Sequence, residues 1–212
     1  MTRDSDKIKR RYNRIAPVYD KLEMIMEQGK MGDWRQKLWN QVNDLVKYKE
    51  DVRLLEAGIG TGKNIPYYPQ GVEAYGIDFS KRMLVEARKR AENLEIDVQL
   101  TEMDIQNLDF ADDYFDVIVT TCVFCSVPDP VEGLKELKRV CKPDGKILML
   151  EHMRSKKEPV GYLMDSINWI SLWTWGANIN RETMKNINQA GLEVIKEEDL
   201  LFDVVKELIL SP

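Results

Sequence analysis

Apolar positions change from a helical period near the N-terminus to short buried runs in the middle of the chain. The pattern over residues 6–47 is helical, and an apolar stripe from Trp34 to Leu45 follows Asp33, which we expect to cap that helix. Short apolar runs then alternate with helical stretches. We predict strands over 52–57, 74–77, 96–101, 115–121 and 146–151, and helices over 81–93 and 130–141. This alternation predicts a parallel sheet covered by helices, with ligands bound at the carboxyl ends of its strands.

The last part of the chain departs from this alternation. A helix over 180–190 ends at Gly191, and two β-prone runs follow at 192–199 and 203–210. Because only a short link joins these runs, we expect them to pair as a hairpin at one edge of the sheet. A Pro-Asp-Gly sequence at 143–145 predicts a turn before the fifth strand.

Composition and charge narrow the class of protein. Of the 212 residues, 43% are hydrophobic and 32% are charged, as is usual for one globular domain. The 31 Lys and Arg against 36 Asp and Glu give a formal charge of −5, which argues against a non-specific hold on DNA or RNA. We therefore expect no nucleic acid partner.

The number of cysteines and the hydropathy of the chain indicate the cellular compartment. Three cysteines are too few for a disulfide framework, and residues 1–11 lack the apolar core of a signal peptide. No run approaches the roughly 18 uninterrupted apolar residues of a spanning helix. We expect a cytoplasmic protein that can contact a membrane only at its periphery.

A glycine-rich turn, Glu56–Gly62 (EAGIGTG), follows the first predicted strand. Its G-x-G-x-G spacing differs from the G-x-G-x-x-G of dinucleotide binding. Glycines let the backbone turn tightly and approach a ligand, and free N–H groups follow at the helix start. Asp78 ends the next strand, sixteen residues beyond Gly62, where a carboxylate can accept both hydroxyls of a ribose. The two features predict a nucleoside site, and the alternative is a tight turn with a helix cap.

Four segments carry a resemblance to a known family: Glu56–Gly62, Gly76–Ser80 (GIDFS), Glu102–Ile105 (EMDI) and Phe115–Ile118 (FDVI). In these segments the chain resembles the class I methyltransferases that use S-adenosylmethionine. The resemblance implies an α/β fold with a Rossmann-like, seven-stranded, mostly parallel sheet, helices on both faces, an antiparallel last strand and an N-terminal helical cap. We divide the expected single domain into the cap (1–48), a cofactor-binding core (49–151), an acceptor-side insert (152–179) and a last helix with an edge hairpin (180–212).

The resemblance also implies the cofactor, S-adenosylmethionine, and its product, S-adenosylhomocysteine. The three glycines of the turn would line the methionine part of the donor, and Asp78 would bind the ribose. Asp104 would contact the adenine amino group and Met103 would flank the ring, although an acid in a polar loop is more often only solvated. The donor-binding residues implied in this way are Glu56, Gly58, Gly60, Gly62, Asp78, Phe79, Met103, Asp104, Ile105 and Thr121.

Transfer of a methyl group from a sulfonium is an in-line displacement, so the protein mainly aligns the reactants and excludes water. No serine or cysteine nucleophile constellation is evident, and a general base is needed only where the acceptor must lose a proton. The single histidine, His152, follows the fifth predicted strand and is the candidate base. Glu151 competes for this role, and a hydrogen-bonded structural histidine is the alternative.

Cys122 and Cys125 form a C-x-x-C at the end of the fourth predicted strand. A structural zinc site needs four ligands, and only Cys141 and one histidine remain, so we expect no metal. In an extended segment a spacing of three places two thiols on opposite faces. We therefore expect one of them in the core and the other near the donor.

Two segments favour an acceptor that is apolar or that lies at a membrane interface. Residues 7–20 place cations before aromatic residues, and residues 159–177 contain Trp169, Trp173 and Trp175. Aromatic rings beside a basic segment are typical of proteins that contact lipid headgroups. The alternative is a lid whose aromatic residues roof a pocket.

The acceptor itself is indicated only by further resemblances. Arg14–Asp20 (RIAPVYD) resembles the N-terminal motif of quinone C-methyltransferases and bacterial phosphatidylethanolamine N-methyltransferases, in which Tyr19 would close over the donor and act as a catalytic residue. Cys125–Val127, Glu151–Ser155 and Asn180–Thr183 resemble the phospholipid branch and methyltransferase-like proteins that methylate thiols. The first acceptor implied is a phospholipid amine, with a quinone ring carbon and a small thiol as alternatives. A hypothesis of another class is a non-catalytic sensor or partner subunit that binds the nucleoside.

Overall fold

The computed structural model describes residues 3–21, 30–174 and 176–212, and one seven-stranded sheet forms its centre. The strands are β1 (Arg53–Ala57), β2 (Glu73–Asp78), β3 (Gln99–Glu102), β4 (Phe115–Thr121), β5 (Cys141–His152), β6 (Glu193–Leu201) and β7 (Val205–Ser211). Their order across the sheet is β3-β2-β1-β4-β5-β7-β6. Neighbours among β1 to β5 are parallel, and β7 is antiparallel to both β5 and β6. This topology confirms the predicted Rossmann-like sheet, its edge hairpin and its antiparallel last strand.

The helices begin and end at residues that suit their termini. They are α1 (Arg3–Ile15), α2 (Met31–Val46), α3 (Lys81–Leu94), α4 (Pro130–Val140), α5 (Glu158–Thr174) and α6 (Thr183–Ala190), with short 3-10 turns at Ala16–Val18 and Ile65–Tyr67. The Ser80 hydroxyl accepts the Met83 N–H and caps α3, and the Asp129 carboxylate accepts the Glu132 N–H and caps α4. Gly191, at a φ of +73°, ends α6 in the left-handed conformation that glycine favours.

Alternate residues of the strands pack against helices on opposite faces of the sheet. Leu55 and Ile118 belong to the core shared with α4 and α6, whereas their neighbours Leu54 and Val117 belong to the core shared with α2. Trp39 of α2 is fully buried in that second core. Because both faces are covered, the central strands are apolar throughout, which is why short uninterrupted apolar runs predict them.

The carboxyl ends of the parallel strands lie at the same end of the sheet, and α1 packs across that end. The Tyr12 hydroxyl is 2.6 Å from the Ser126 hydroxyl beyond β4, and the Ser80 hydroxyl donates to Asn13 at 2.9 Å. The N-terminal helix therefore covers the edge where the sheet presents its loops. None of the described helices is both long and apolar enough to cross a bilayer.

The N-terminal region differs from the continuous helical pattern over residues 6–47. α1 ends at Ile15, and residues 22–29 of that pattern lie outside the described residues. α2 follows Lys30, which makes no side-chain cap, and Asp33 lies within the first turn. The prediction that Asp33 caps the helix is wrong, because the helix begins earlier and the acid instead faces the positive end of its dipole.

The fifth strand begins earlier than predicted. Phe115 pairs with Cys141 and Val117 pairs with Lys146, so β5 carries three more residues than β4 between these pairs. The Pro-Asp-Gly at 143–145 lies inside this irregularity. In a bulge of this kind the strand pairs with its neighbour both before and after the extra residues. The Pro-Asp-Gly therefore marks an interruption within β5, and not a turn before the strand begins.

Candidate active site

A cleft at the carboxyl edge of the sheet lies between the glycine turn, the end of β2 and α1. Its volume is about 740 Å³ when the open solvent at its mouth is included, and we name it the donor cavity. The predicted donor-binding residues that line it are Gly58, Gly60, Asp78, Phe79, Met103, Asp104, Ile105 and Thr121. The rest of its lining is Tyr12, Tyr19, Ile77, Met83, Gln106, Cys122, Val123, Ser126, Val127 and Pro128. Residues predicted from separate motifs are thus brought together around one space.

Asp78 is a buried carboxylate held by two backbone donors. The Gly60 N–H donates to its Oδ2 at 3.0 Å, and the Ser80 N–H donates to its Oδ1 at 2.8 Å. Burial raises the pKa of Asp78 to about 6, and the two backbone hydrogen bonds oppose that shift. Each oxygen accepts one of these bonds and has further acceptor capacity, and Asp78 lines the cavity, so the carboxylate can accept hydroxyl groups from a ligand.

The three glycines of the turn have different surroundings. Gly60, at a φ of +55°, has no atom within 4 Å of the position a Cβ would take, so it leaves the cavity open. A Cβ on Gly58 would lie 2.5 Å from Val123 Cγ2. Gly62 does not line the cavity, and its Cβ position is filled by Ile65 and Ala87. Its absent side chain therefore lets the turn pack against α3.

Glu56 also lies behind the cavity wall and not in it. The Asn64 side-chain amide donates to Glu56 at 2.8 Å and to the Thr121 hydroxyl at 3.0 Å, and the Tyr68 hydroxyl donates to the second Glu56 oxygen. Burial raises the pKa of Glu56 to about 7. Glu56 therefore supports the cavity by fixing Asn64, which in turn holds Thr121 of the lining.

The far end of the donor cavity is formed by the loop after β3. Asp104 Oδ1 accepts the Gln106 N–H at 3.0 Å and its side-chain amide at 2.9 Å. Gln106 Oε1 in turn accepts the Asp129 N–H at 2.9 Å, so this carboxylate belongs to an ordered network. Met103 and Ile105 place apolar surface on either side of it. A flat ring with an amino group fits this combination of apolar walls and one acceptor.

A second, larger cleft adjoins the donor cavity beneath α5. Its volume is about 1830 Å³ when the open solvent at its mouth is included, and we name it the acceptor cavity. It shares Tyr12, Tyr19 and Cys122 with the donor cavity. The rest of its lining is Ile15, Lys30, Met31, Trp34, Cys125, His152, Ile167, Ile170, Ser171, Thr174, Ala177, Asn178, Ile179, Leu201 and Val205. Most of these side chains are apolar, so the wall suits an acceptor with hydrocarbon parts.

His152 is the imidazole in the wall of the acceptor cavity. Its Nδ1 is buried and has no hydrogen-bond partner among the described residues. Burial lowers the pKa of His152 below its ordinary value, which keeps the ring neutral near pH 7. A neutral imidazole at this position is chemically able to take a proton from a bound acceptor.

Comparison with known proteins places this geometry in a family. Residues 55–149 match the family described as "Methyltransferase domain". A phosphatidylethanolamine N-methyltransferase from Cereibacter sphaeroides is 37% identical over 110 residues, covering 51% of this chain and 54% of that protein. A thiol S-methyltransferase TMT1B from Mus musculus is 30% identical over 177 residues, covering 80% of this chain and 71% of that protein. The chain spans about half the length of the first relative and more than two thirds of the second.

The chain belongs to the class I S-adenosylmethionine-dependent methyltransferases. A SAM-dependent methyltransferase from Aquifex aeolicus shares its fold, with a TM-score of 0.60 at 19% identity, covering 82% of this chain and 88% of that chain. S-adenosylmethionine is thereby the methyl donor, as the resemblance implied. The donor cavity fits it: among the described residues no lysine or arginine lines the cavity, while Asp78 and Asp104 give it an acidic character that suits a sulfonium cation.

Tyr12 lines the candidate site, and the sequence motifs do not single it out. It lines both cavities, and its ring meets that of Phe79 edge-on with centroids 5.6 Å apart. Ser126, its hydroxyl partner, is 114 residues away in sequence. The aromatic residues at the start of the chain give a weak signal, but only the packing of α1 shows which of them faces the donor cavity.

Tyr19 takes a similar place in the methyltransferase, in the wall of both cavities. Its ring centroid lies 6.1 Å from that of Tyr12. The position is compatible with the expected closure over the donor, and a catalytic role for Tyr19 stays a prediction.

Glu151 faces the turn after β4 and does not line the acceptor cavity. It is fully buried and accepts the Thr120 hydroxyl at 3.0 Å and the N–H groups of Val123 and Phe124 at 3.1 and 3.3 Å. These bonds fix the backbone of the turn that separates the two cavities. Of the two candidate bases, His152 lines the acceptor cavity and Glu151 does not.

The structure agrees with the expectation of one thiol in the core and one near the donor, since Cys125 is buried and Cys122 lines the donor cavity. The extended backbone assumed for this segment is wrong. The chain turns after Cys122, where the Ser126 N–H donates to the Val123 carbonyl, and it is not extended. Cys122 has a φ of +54°, a conformation that residues other than glycine rarely adopt. Burial raises the pKa of Cys125 to about 12, so this thiol stays protonated.

Replacing Gly58 with alanine is expected to destabilise the methyltransferase by about 1–3 kcal/mol more than replacing Gly71. Both glycines have a φ of +78°, so both variants carry the same backbone strain. Only at Gly58 would the new Cβ collide with Val123, since nothing lies within 4 Å at Gly71. Urea unfolding of the two variants measures this difference. Equal losses would show that the turn after β4 can move away from the glycine.

Proposed function

We propose that the protein transfers the methyl group of S-adenosylmethionine to a lipid-like acceptor, with a phospholipid amine as the first candidate. The observation that carries the proposal is the large, mainly apolar acceptor cavity joined to the donor cavity at Tyr12, Tyr19 and Cys122. When bound, the donor supplies an activated methyl group on a sulfonium. The relative named a phosphatidylethanolamine N-methyltransferase supports the amine as the acceptor atom.

The residues of the site have separate tasks in this proposal. Asp78 and the glycine turn hold the ribose and methionine parts of the donor, so that its methyl group faces the acceptor cavity. Tyr12 and Tyr19 lie where the two cavities meet. In this proposal they flank the point of methyl transfer and exclude water from it. Holding both reactants in line accounts for most of the rate enhancement that such a site needs.

His152 gives the site a proton acceptor. An ammonium headgroup cannot attack the methyl group until it has lost a proton, because its nitrogen lone pair is occupied. His152, whose side chain lines the acceptor cavity, would take that proton from an amine bound there. Solvent can carry the proton away once the methylated headgroup leaves.

A small thiol is the second candidate acceptor. The relative named a thiol S-methyltransferase supports it, with 80% of this chain covered. A thiol also has to lose a proton before it attacks, so His152 would serve it in the same way. A quinone ring carbon is the third candidate acceptor and fits the apolar wall. A relative named a demethylmenaquinone methyltransferase from Lactobacillus johnsonii supports it, with 34% identity over 149 residues and 66% of this chain covered.

Methyl labelling of a cell extract tests the proposed acceptor. The purified protein is given methyl-labelled S-adenosylmethionine and an extract separated into lipid and aqueous fractions. We expect the label in the lipid fraction, on N-methylated phosphatidylethanolamine. Label on aqueous thiols would replace the first candidate with the second, and donor binding without label in either fraction would favour the nucleoside sensor.

A further inference from the structure

The helix α5 presents a wide apolar face to solvent. Tyr162, Leu163, Trp169 and Trp173 are 64%, 60%, 67% and 75% exposed, and Ile170 lies beside them. With Ser166 they recur at the spacing of one helix face, and we name these six residues the α5 face. Trp175, which continues the same aromatic run in sequence, lies outside the described residues.

A helix on the surface of a globular protein normally turns polar side chains to water. In α5 the inward face buries Gly161 and Met164, and the opposite, outward face carries the large apolar residues. Exposed apolar patches of this extent mark contacts with a membrane or a partner. The α5 face therefore needs a second surface that removes it from water.

Two hydroxyl groups of α5 donate to the backbone of the helix itself. The Ser166 hydroxyl donates to the Tyr162 carbonyl at 2.8 Å, and the Thr174 hydroxyl donates to the Ile170 carbonyl at 2.7 Å. Such bonds to the helix's own backbone suit a medium that offers no hydrogen bonds. They leave the outward face with little polar surface to desolvate.

The two acidic residues of α5 share one cation. Arg154 pairs with Asp165 at 3.0 Å and with Glu158 at 3.4 Å. One guanidinium offsets one of the two carboxylates, so the cations that attract an anionic surface have to come from outside this group.

Exposed cations lie at both ends of the helix. Lys156 and Lys157 precede its first turn, and Lys156 has only a 3.6 Å contact with Glu197. At the other end the Arg11 guanidinium donates to the Leu172 carbonyl and joins α1 to α5. Arg10 and Arg14, exposed on α1, have no carboxylate partner among the described residues. An apolar face between two cationic ends complements the headgroups of an anionic bilayer.

We propose that the α5 face docks on an anionic phospholipid bilayer, with the aromatic side chains at the headgroup boundary. Tryptophan and tyrosine favour that depth, and lysine and arginine can reach phosphate from it. α5 also supplies Ile167 and Ile170 to the acceptor cavity, so docking sets the cavity beside the acyl chains. The inference deepens the proposed function, on which it rests, by giving a lipid acceptor a direct way in.

Sedimentation with vesicles, without donor or acceptor turnover, tests the docking surface. Vesicles of phosphatidylcholine alone are compared with vesicles that also contain phosphatidylglycerol. We expect binding to the anionic vesicles that weakens as salt is added. The double variant Trp169→Ser/Trp173→Ser and the double variant Arg10→Gln/Arg14→Gln are each expected to bind at least tenfold more weakly.

Matched controls separate docking from damage to the fold. Tyr48→Ser removes an aromatic residue that is 89% exposed outside α5, and Arg88→Gln removes an exposed cation of α3; both are expected to bind as the unchanged protein does. Equal binding of the tryptophan variant and Tyr48→Ser would overturn the proposal. So would a dimer in solution that the tryptophan variant abolishes, since the face would then belong to a second copy.

The outcome is distinguishable from failure of the proposed function. Absent vesicle binding together with methylation of a detergent-dispersed phospholipid would remove the docking surface and keep the enzyme. Vesicle binding with no methylation of any lipid would keep the surface and remove the lipid acceptor.

Discussion

Replacing His152 with alanine is expected to lower the turnover number about 100-fold and to leave the affinity for S-adenosylmethionine nearly unchanged. General base catalysis contributes about 10²- to 10⁴-fold, and His152 lines the acceptor cavity but not the donor cavity. Steady-state kinetics with a dispersed phospholipid gives the turnover number, and calorimetry gives the donor affinity. Added imidazole is expected to restore part of the rate, because the deleted ring leaves room for it.

The pH profile tests the same role independently. The neutral ring is the active form, so the rate falls as the pH drops through the pKa of His152. Burial lowers this pKa, so the decline is expected below the ordinary histidine value of about 6.5. At saturating donor, the part of the decline that comes from His152 is expected to be absent in His152→Gln, which fills much of the space without titrating; titration of Asp78, whose pKa is about 6, acts on donor binding and is common to both proteins. Turnover of His152→Ala equal to that of the unchanged protein would make the residue purely structural.

Replacing Asp78 with alanine is expected to weaken donor binding by more than tenfold, and by about 100-fold if both ribose hydroxyls lose their acceptor. A hydrogen bond to a charged group is worth about 1.5–3 kcal/mol, and about 1.4 kcal/mol corresponds to tenfold in affinity. Titration calorimetry with S-adenosylhomocysteine measures the change without turnover. Unchanged affinity would remove Asp78 from the donor site.

Two variants show whether the effect of Asp78→Ala comes from the ligand or from the fold. Asp78 also accepts the Gly60 and Ser80 N–H groups, so its removal can loosen the glycine turn. Asp78→Asn keeps the shape but only one acceptor oxygen, so one of these two N–H groups loses its partner; urea unfolding measures that cost to the fold separately from the weaker donor binding that we expect. Asp97→Ala removes an exposed acid before β3 and is expected to bind as the unchanged protein does.

The sheet and most of the donor cavity are predictable from local sequence. Strands buried on both faces must be apolar at successive positions, so β1 and β4 stand out without any alignment. The glycine turn and Asp78 follow two of these strands, and parallel strands bring such positions to one edge. Gly62 and Glu56 show the limit of this reasoning, because a motif residue can support a cavity from behind as well as line it.

The acceptor side depends on long-range packing that local sequence does not encode. The turn that places Cys122 and Cys125 on one cavity is held by Glu151, a partner from another strand. The position of Tyr12 depends on a hydroxyl 114 residues away. The sequence of α5 shows that the helix is rich in apolar residues. Which of its faces points outward is known only from the structure, where Met164 is buried on the opposite face.

Tyr12 and Tyr19 form a partition that belongs to both cavities, and Tyr12 is carried by α1. The described side-chain hydrogen bonds from Tyr12 and Asn13 fasten this helix to Ser126 and to the start of α3. Any displacement of α1 that breaks these hydrogen bonds opens the donor cavity and the acceptor cavity together. Departure of the spent nucleoside and departure of the methylated product would then be a single gated event, whose frequency sets an upper limit on how often the enzyme can cycle.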